Sequence, residues 1–440
     1  MKVNIITLGC SKNTVDSENM ASLLRTAGHQ VFFDRQQNDA DMVIINTCGF
    51  IGDAKEESVN TILEQIESKK FFNRRHARDG RQRRLVVMGC LAQRNGDELA
   101  DLLPEVDEWH GVPDPKATIP CADILSNHLP HHPISVPRCI STPSHYAYLK
   151  IAEGCNRSCS YCAIPHIRGH HVSRPIDQLV DEARYLVSQG VKELIVISQD
   201  TTYYGLDLYG HRALGQLLER LATESGAQWI RLHYTYPSSF PIDAIQVMQR
   251  YDNICNYIDI PLQHINSRIL SSMQRGIDRE GTLQLLSQFR SLLPDAAIRT
   301  TLIVGYPGES IEEFNELKEF VQQARFDRMG CFAYSAEEGT PADSLADDIP
   351  QEEKERRVSE LMAIQEQISL EKNEARVGNN YRVLIDRHEG EYYIGRTEYD
   401  SPEIDDEVLI PDNHRLLIGE FYQVHITQAL ENDLYAELID

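Results

Sequence analysis

Short apolar runs that end at a cysteine punctuate the first ninety residues. Residues 3–8 lead into Gly9-Cys10, residues 42–45 into Asn46-Thr47-Cys48, and residues 85–88 into Gly89-Cys90. Between them, residues 16–27 and 53–69 carry helical spacing. Apolar runs alternating with helices predict a parallel α/β sheet. The alternation resumes at Tyr146. Strands are expected at 146–151, 194–197, 229–232, 257–260, 298–303 and 329–334, with helices between them, such as 178–188 and 311–324. Six parallel βα units curve toward an incomplete, TIM-like (β/α)6 barrel, whose polar residues gather at the carboxyl ends of the strands. A Glu- and Lys-rich helix follows at 350–377. After Gly378 the period shortens to five strands, at 381–386, 392–396, 407–410, 422–428 and 434–438, the pattern of a small all-β barrel. The expected fold is α/β with three domains, at 1–135, 141–372 and 373–440, as the length of 440 residues suggests.

Charge narrows the partners. The net charge is −24, and an acidic chain repels phosphate backbones, so a basic or small partner is expected. From Asn373 to Asp440, 16 acidic residues face 5 arginines. This acidic barrel, with Glu403, Asp405, Asp406 and Glu407, is expected to dock a basic protein through complementary potential. Arg74, Arg75, Arg78, Arg81, Arg83 and Arg84 run the other way, as a solvated loop or as a basic finger for ribosomal RNA. No apolar run reaches the roughly 18 residues of a membrane span, and the opening strand pattern leaves no signal-peptide core. Ten cysteines then read as ligands or thiols of a reducing compartment, the cytoplasm. Cys121 and Cys139 fall in a proline-rich connection, and Cys255 and Cys331 in or beside strands; none of the four is expected to be a ligand.

Cys155, Cys159 and Cys162 form a C-x3-C-x2-C pattern directly after the first strand of the central domain. Thiolates select zinc or iron–sulfur clusters, and structural zinc wants four closed ligands. No fourth Cys or His pairs up locally, so three thiolates would leave one iron of a cubane open. The pattern, with Tyr161 before the last cysteine, resembles the radical-SAM superfamily, in which a cluster and S-adenosylmethionine together supply radical chemistry. Cys10, Cys48 and Cys90 all fall at carboxyl ends of strands, where open α/β sheets bind ligands. They can converge on a second cluster.

Gly9-Cys10-Ser11-Lys12-Asn13 with Asp16-Ser17-Glu18, then Asn46-Thr47-Cys48 and Gly89-Cys90, resemble the N-terminal domain of the methylthiotransferases. That family joins such a domain to a radical-SAM core and a C-terminal TRAM domain, so the resemblance spans essentially the whole chain. Ile151 to Cys155 and Cys162 to Gly169 look most like the members that modify a ribosomal protein. The resemblance implies two 4Fe-4S clusters, one on Cys155, Cys159 and Cys162 that binds S-adenosylmethionine, the other an auxiliary cluster on Cys10, Cys48 and Cys90 that presents sulfur. It implies a 5′-deoxyadenosyl radical and transfer of a methylthio group to the β-carbon of an aspartate in the twelfth small-subunit ribosomal protein. An electron donor such as a flavodoxin or ferredoxin, and a sulfur source, are implied as partners. Contacts to S-adenosylmethionine are expected from Tyr161, Gln199, Gln263, His264, Arg299 and Gly305. Two alternatives stand beside this: methylthiolation of a modified adenosine in transfer RNA, and a non-enzymatic iron–sulfur carrier.

Overall fold

The computed structural model describes residues 1–35, 39–116, 121, 124–125 and 137–439; most of the proline-rich connection lies outside them. The chain divides into two compact units. One comprises Met1–Thr142, Ala152–Arg157 and Cys162–Val172; the other comprises Pro143–Ile151, Ser158–Tyr161 and Ser173–Asp440.

The first unit is built on a five-stranded parallel sheet, in the order Gln30–Phe33, Lys2–Thr7, Met42–Thr47, Arg84–Gly89, Glu108–Trp109. Met42–Thr47 is buried throughout, as a parallel strand covered on both faces should be. Its side chains alternate between two cores. Met42 and Ile44 pack with Met20, Leu23 and Leu24 of helix Ser11–Thr26. Val43 and Ile45 pack with Ile62 and Ile66 of helix Gly52–Arg75. The two edge strands are not among the sequence-based expectations: they hold four and two residues, too few to show a period.

The arginine-rich connection is largely paired within this unit. Arg81 bridges to Asp41 at 2.6 Å, Arg84 pairs with Glu108, and buried Arg83 donates to the Ala40 carbonyl at 2.9 Å and to Ser68 Oγ at 2.8 Å. With Arg74 Nε donating to the Lys70 carbonyl at 3.2 Å, four of its six arginines are spent on local acceptors.

The second unit carries six parallel strands in chain order: Tyr146–Lys150, Glu193–Ile197, Trp229–Leu232, Ile254–Asp259, Ala297–Val304 and Arg328–Ala333. This singly wound order is that of the expected partial barrel. The 24-residue helix Gln351–Glu374 leads to a closed five-stranded barrel of Asn380–Glu389, Tyr392–Arg396, Glu407–Pro411, Phe421–Ala429 and Asp433–Leu438. Val383, Ile385, Val408, Ile410, Val424, Ile426 and Leu434 fill it.

The small barrel packs on the amino ends of the six strands. Tyr146, Glu193, Trp229 and Arg328 each open a strand, and each meets it. Tyr146 Oη donates to Glu403 at 2.9 Å, and the Trp229 and Phe421 rings lie 4.7 Å apart. Fully buried Glu193 bridges Arg231 at 2.7 Å and Arg396 at 2.8 Å. Arg328 pairs with Asp400 at 2.5 Å and Asp406 at 2.9 Å. The expected acidic docking surface is corrected here. The Asp405 side chain is 1 % exposed, accepts from Tyr257 at 2.6 Å and faces Arg299 at 3.4 Å; Asp406 is buried as well. Buried arginines at the amino ends require these counter-charges, so the two carboxylates are not available to a partner.

Candidate active site

Cys10, Cys48 and Cys90 follow three adjacent strands of the first sheet. Cys10 caps helix Ser11–Thr26 and Cys90 opens helix Cys90–Leu102, so both sulfurs stand at helix amino termini, where backbone N–H groups favour negative charge. A Cβ on Gly9, which has φ +87°, would lie 2.6 Å from Cys48 Cβ and 2.9 Å from its Sγ. Only glycine lets the Cys10 loop come this close to Cys48. Burial raises the Cys48 thiol and pushes the Cys90 thiol up to about 11. Neither ionises readily alone, and a metal that takes the thiolate would reverse this. Three thiols on adjacent strand ends are donors of the type that iron–sulfur clusters take. Among the described residues no three or more His, Cys, Asp or Glu side chains are gathered closely enough to hold a metal ion.

The segment with the other cysteine trio is shared out. Cys155 and Cys162 belong to the first unit; Cys159 and Tyr161 belong to the second. In the first unit, the Cys155 N–H donates to the Gly169 carbonyl at 3.0 Å, and the Arg157 N–H approaches Cys155 Sγ at 3.4 Å. A Cβ on Gly154, φ +80°, would stand 2.2 Å from the His170 carbonyl oxygen; glycine there allows the two ends of the segment to meet. The short helix Ile164–Arg168 then brings Arg168 into the core. Its Nε donates to Cys90 Sγ at 3.3 Å and its Nη1 to Asp16 and Glu153 at 3.1 and 3.0 Å. Burial opposes this charge, but Glu153, Cys90 and Asp16 outweigh it and hold the guanidinium above its ordinary value.

In the second unit, Arg275 Nη1 donates to Cys159 Sγ at 3.3 Å and to Tyr161 Oη at 3.1 Å. Its guanidinium lies 4.2 Å over the Tyr236 ring, and the Tyr236 hydroxyl is 3.5 Å from Cys159 Sγ. Ser160 locks the same stretch: its N–H donates to the Met273 carbonyl at 3.1 Å, and its Oγ donates to the Ser272 carbonyl at 2.8 Å. Tyr161 packs on Ile269, Met273, Tyr306 and Tyr334.

The remaining expected residues separate. Gln199, half-buried, stands two positions beyond Ile197 at a carboxyl strand end. Gln263 has φ +74°, a strained value for a non-glycine residue. Its buried Oε1, like Ser198 Oγ, has no hydrogen-bond partner among the described residues. Orphaned polar atoms at carboxyl strand ends suit a polar ligand such as S-adenosylmethionine. His264 is fully buried: Nδ1 accepts the Asn266 N–H at 3.0 Å, and Nε2 faces Glu309 at 3.2 Å. Both ring nitrogens are taken by protein. Gly305 is tied similarly. Its N–H donates to Glu309, and a Cβ would meet Lys354 Cγ at 2.3 Å. Arg299 is third in its strand, toward the amino end, and pairs with Asp259 at 3.1 Å as well as with Asp405. His264, Gly305 and Arg299 each engage protein partners in this structure. Arg168, Arg275 and Tyr236 were absent from the expected site. Arg168 sits in the quoted segment, but nothing local marks its distant partner.

A singly wound partial barrel with three cysteines after its first strand defines a radical S-adenosylmethionine enzyme. The family model "Radical SAM superfamily" matches residues 149–321, "Uncharacterized protein family UPF0004" matches 2–111, and "TRAM domain" matches 377–439. The chain is 51% identical over 441 residues to the ribosomal protein uS12 methylthiotransferase RimO of Bacteroides thetaiotaomicron, covering 100% of this chain and 98% of that one. It is 51% identical to RimO of Flavobacterium psychrophilum (99% and 98% covered) and 48% identical to RimO of Cytophaga hutchinsonii (100% and 98% covered). The chain belongs to the RimO family of radical-SAM methylthiotransferases. Among solved structures, the radical S-adenosylmethionine methyltransferase TsrM from Kitasatospora setae matches with TM-score 0.53 at 14% identity, over 75% of this chain and 72% of that one. The radical enzyme OxsB matches with TM-score 0.52 at 11% identity, over 83% and 56%. These two likenesses bear on the fold alone.

Proposed function

We propose that this chain transfers a methylthio group to the β-carbon of an aspartate in uS12, the twelfth small-subunit ribosomal protein, replacing one C–H bond by one C–S bond. Cys155, Cys159 and Cys162 would hold a cluster able to supply the electron for cleavage of S-adenosylmethionine, and Cys10, Cys48 and Cys90 a second cluster able to supply sulfur; the hydrogen would leave in 5′-deoxyadenosine, and a second S-adenosylmethionine would supply the methyl group. The chain's own residues hold these ligands. Arg275 and Tyr236 fix Cys159, and the Ser160 bonds anchor the loop. Tyr161 gives an apolar wall and Gln263 a polar acceptor at the carboxyl end. Arg168 fixes Cys90. Electrons come from a flavodoxin or ferredoxin, sulfur from a separate donor, and the setting is cytoplasmic. No cysteine is in a disulfide, and no helix among the described residues is long and apolar enough to cross a membrane.

The observation that carries the reading is the placement of three cysteines on three adjacent strand ends in a chain about half identical, end to end, to RimO proteins. The transfer-RNA alternative draws no support from the arginine segment, most of which is locally paired. The test is mass spectrometry of ribosomal proteins from cells with and without the gene. A methylthio group on uS12 that disappears with the gene is expected. Unmodified uS12 alongside methylthiolated transfer RNA would overturn the reading.

A further inference from the structure

One side chain reaches all three loops of the first cysteine trio. Arg168 Nη2 donates to Asn13 Oδ1 at 2.5 Å, while Asn13 Nδ2 donates to the Leu8 carbonyl at 2.8 Å and the Thr47 carbonyl at 3.0 Å. Leu8 lies two residues before Cys10, and Thr47 directly precedes Cys48. The third loop is held by the Arg168 Nε bond to Cys90 Sγ. An ion pair needs none of this. Asp16 and Glu153 both bond to Nη1, so that one nitrogen answers both carboxylates. The rest of the planar fork is directed at the cysteine loops. Lysine, a point charge on a flexible stem, has no equivalent of such a fork.

The origin of this arginine matters equally. It ends the helix Ile164–Arg168, which begins two residues after Cys162. At about 1.5 Å per residue, that helix is a short rigid arm between a cysteine of the second trio and a donor to a cysteine of the first.

We infer that Arg168 is a positioning residue for the site on Cys10, Cys48 and Cys90, and that its hydrogen bond to Cys90 Sγ helps set the reduction potential of the cluster held there. The inference rests on the auxiliary-cluster reading above. Hydrogen bonds to cluster sulfurs are among the protein's levers on potential, and partners of metal ligands commonly matter nearly as much as the ligands. A donor withdraws charge from the sulfur and favours the reduced state, so losing it lowers the potential.

The test uses the full-length chain with Cys155, Cys159 and Cys162 replaced by Ala, reconstituted anaerobically, so that only the other trio can hold iron. Iron is counted, and the midpoint is read by redox titration followed by electron paramagnetic resonance. Adding Arg168→Lys keeps the charge beside Asp16 and Glu153. Retained iron is expected, with a midpoint shifted negative enough to reduce the reduced-to-oxidised ratio at fixed potential about tenfold, or about 59 mV for one electron. Should Arg168→Lys misfold, the paired Arg168→Gln, Glu153→Gln removes one charge of each sign and gives the same readout. An unchanged midpoint with iron retained overturns the inference. Misfolding of both variants also overturns it, by making Arg168 an ordinary ion-pair residue. A parent triple variant without iron would instead remove the auxiliary cluster itself, and the inference with it.

Discussion

Arg275 donates to Cys159 Sγ at 3.3 Å across 116 residues of sequence. The same guanidinium nitrogen donates to Tyr161 Oη, and the guanidinium also donates to the Pro261 carbonyl and covers the Tyr236 ring. This buried cation therefore fixes the middle cysteine of the loop together with the aromatic side chain two residues on.

Arg275→Lys should keep a positive charge there but lose the planar set of donors. Deoxyadenosine formation is expected to fall about 10–100-fold, the usual cost of removing a partner of a metal ligand, with the fold intact by circular dichroism. Wild-type rates in a folded Arg275→Lys protein would show that the bond to Cys159 is incidental.

Glu193 is fully buried between Arg231 and Arg396. Replacing it with Gln leaves buried Arg231 without its carboxylate, while Arg396 keeps Asp386 at 2.6 Å. Removing one partner of a buried pair costs about 3–5 kcal/mol. Urea unfolding of Glu193→Gln should show a loss of that order, in a single transition for the partial barrel and the small barrel. A loss below 1 kcal/mol would mean that solvent reaches these charges.

Burial pushes the Asp406 carboxyl up from 3.8 to about 6, with Arg328 opposing and Asp400 reinforcing the rise. The unfolded chain releases this proton first as pH rises. Between about pH 4 and 6 the folded state binds more protons, so stability falls with increasing pH and stays lower above 6. Asp406→Asn should lack that slope in thermal midpoints measured from pH 4 to 7, even though it also weakens the contact with Arg328. Equal slopes in the two proteins would show that Asp406 is solvated.

Much of the architecture could be read locally. The runs before Cys10, Cys48 and Cys90 announced parallel strands because strands covered on both faces are continuously apolar. The C-x3-C-x2-C loop announced its chemistry because ligand spacing is short-range. The contacts of Arg275 and Arg168 were not legible, because their partners lie 116 and 78 residues away and one arginine resembles another in sequence. The misplaced acidic surface has a related cause. Asp405 and Asp406 look like solvated charges until Arg299 and Arg328, on strands far earlier in the chain, are brought beneath them. The partners of His264 and Arg299 are likewise tertiary, Glu309 for one and Asp259 and Asp405 for the other, and no local pattern announces them.

Whether one chain holds two separate chemistries is tested most directly by replacing Cys10, Cys48 and Cys90 together with Ala. Iron content, deoxyadenosine and methylthiolated uS12 are then measured on the same anaerobically reconstituted sample. The expected result is the loss of one cluster's iron, continued reductive cleavage of S-adenosylmethionine, and no methylthio group on uS12. Full iron content with undiminished methylthio transfer would contradict it and return these three cysteines to a purely structural role.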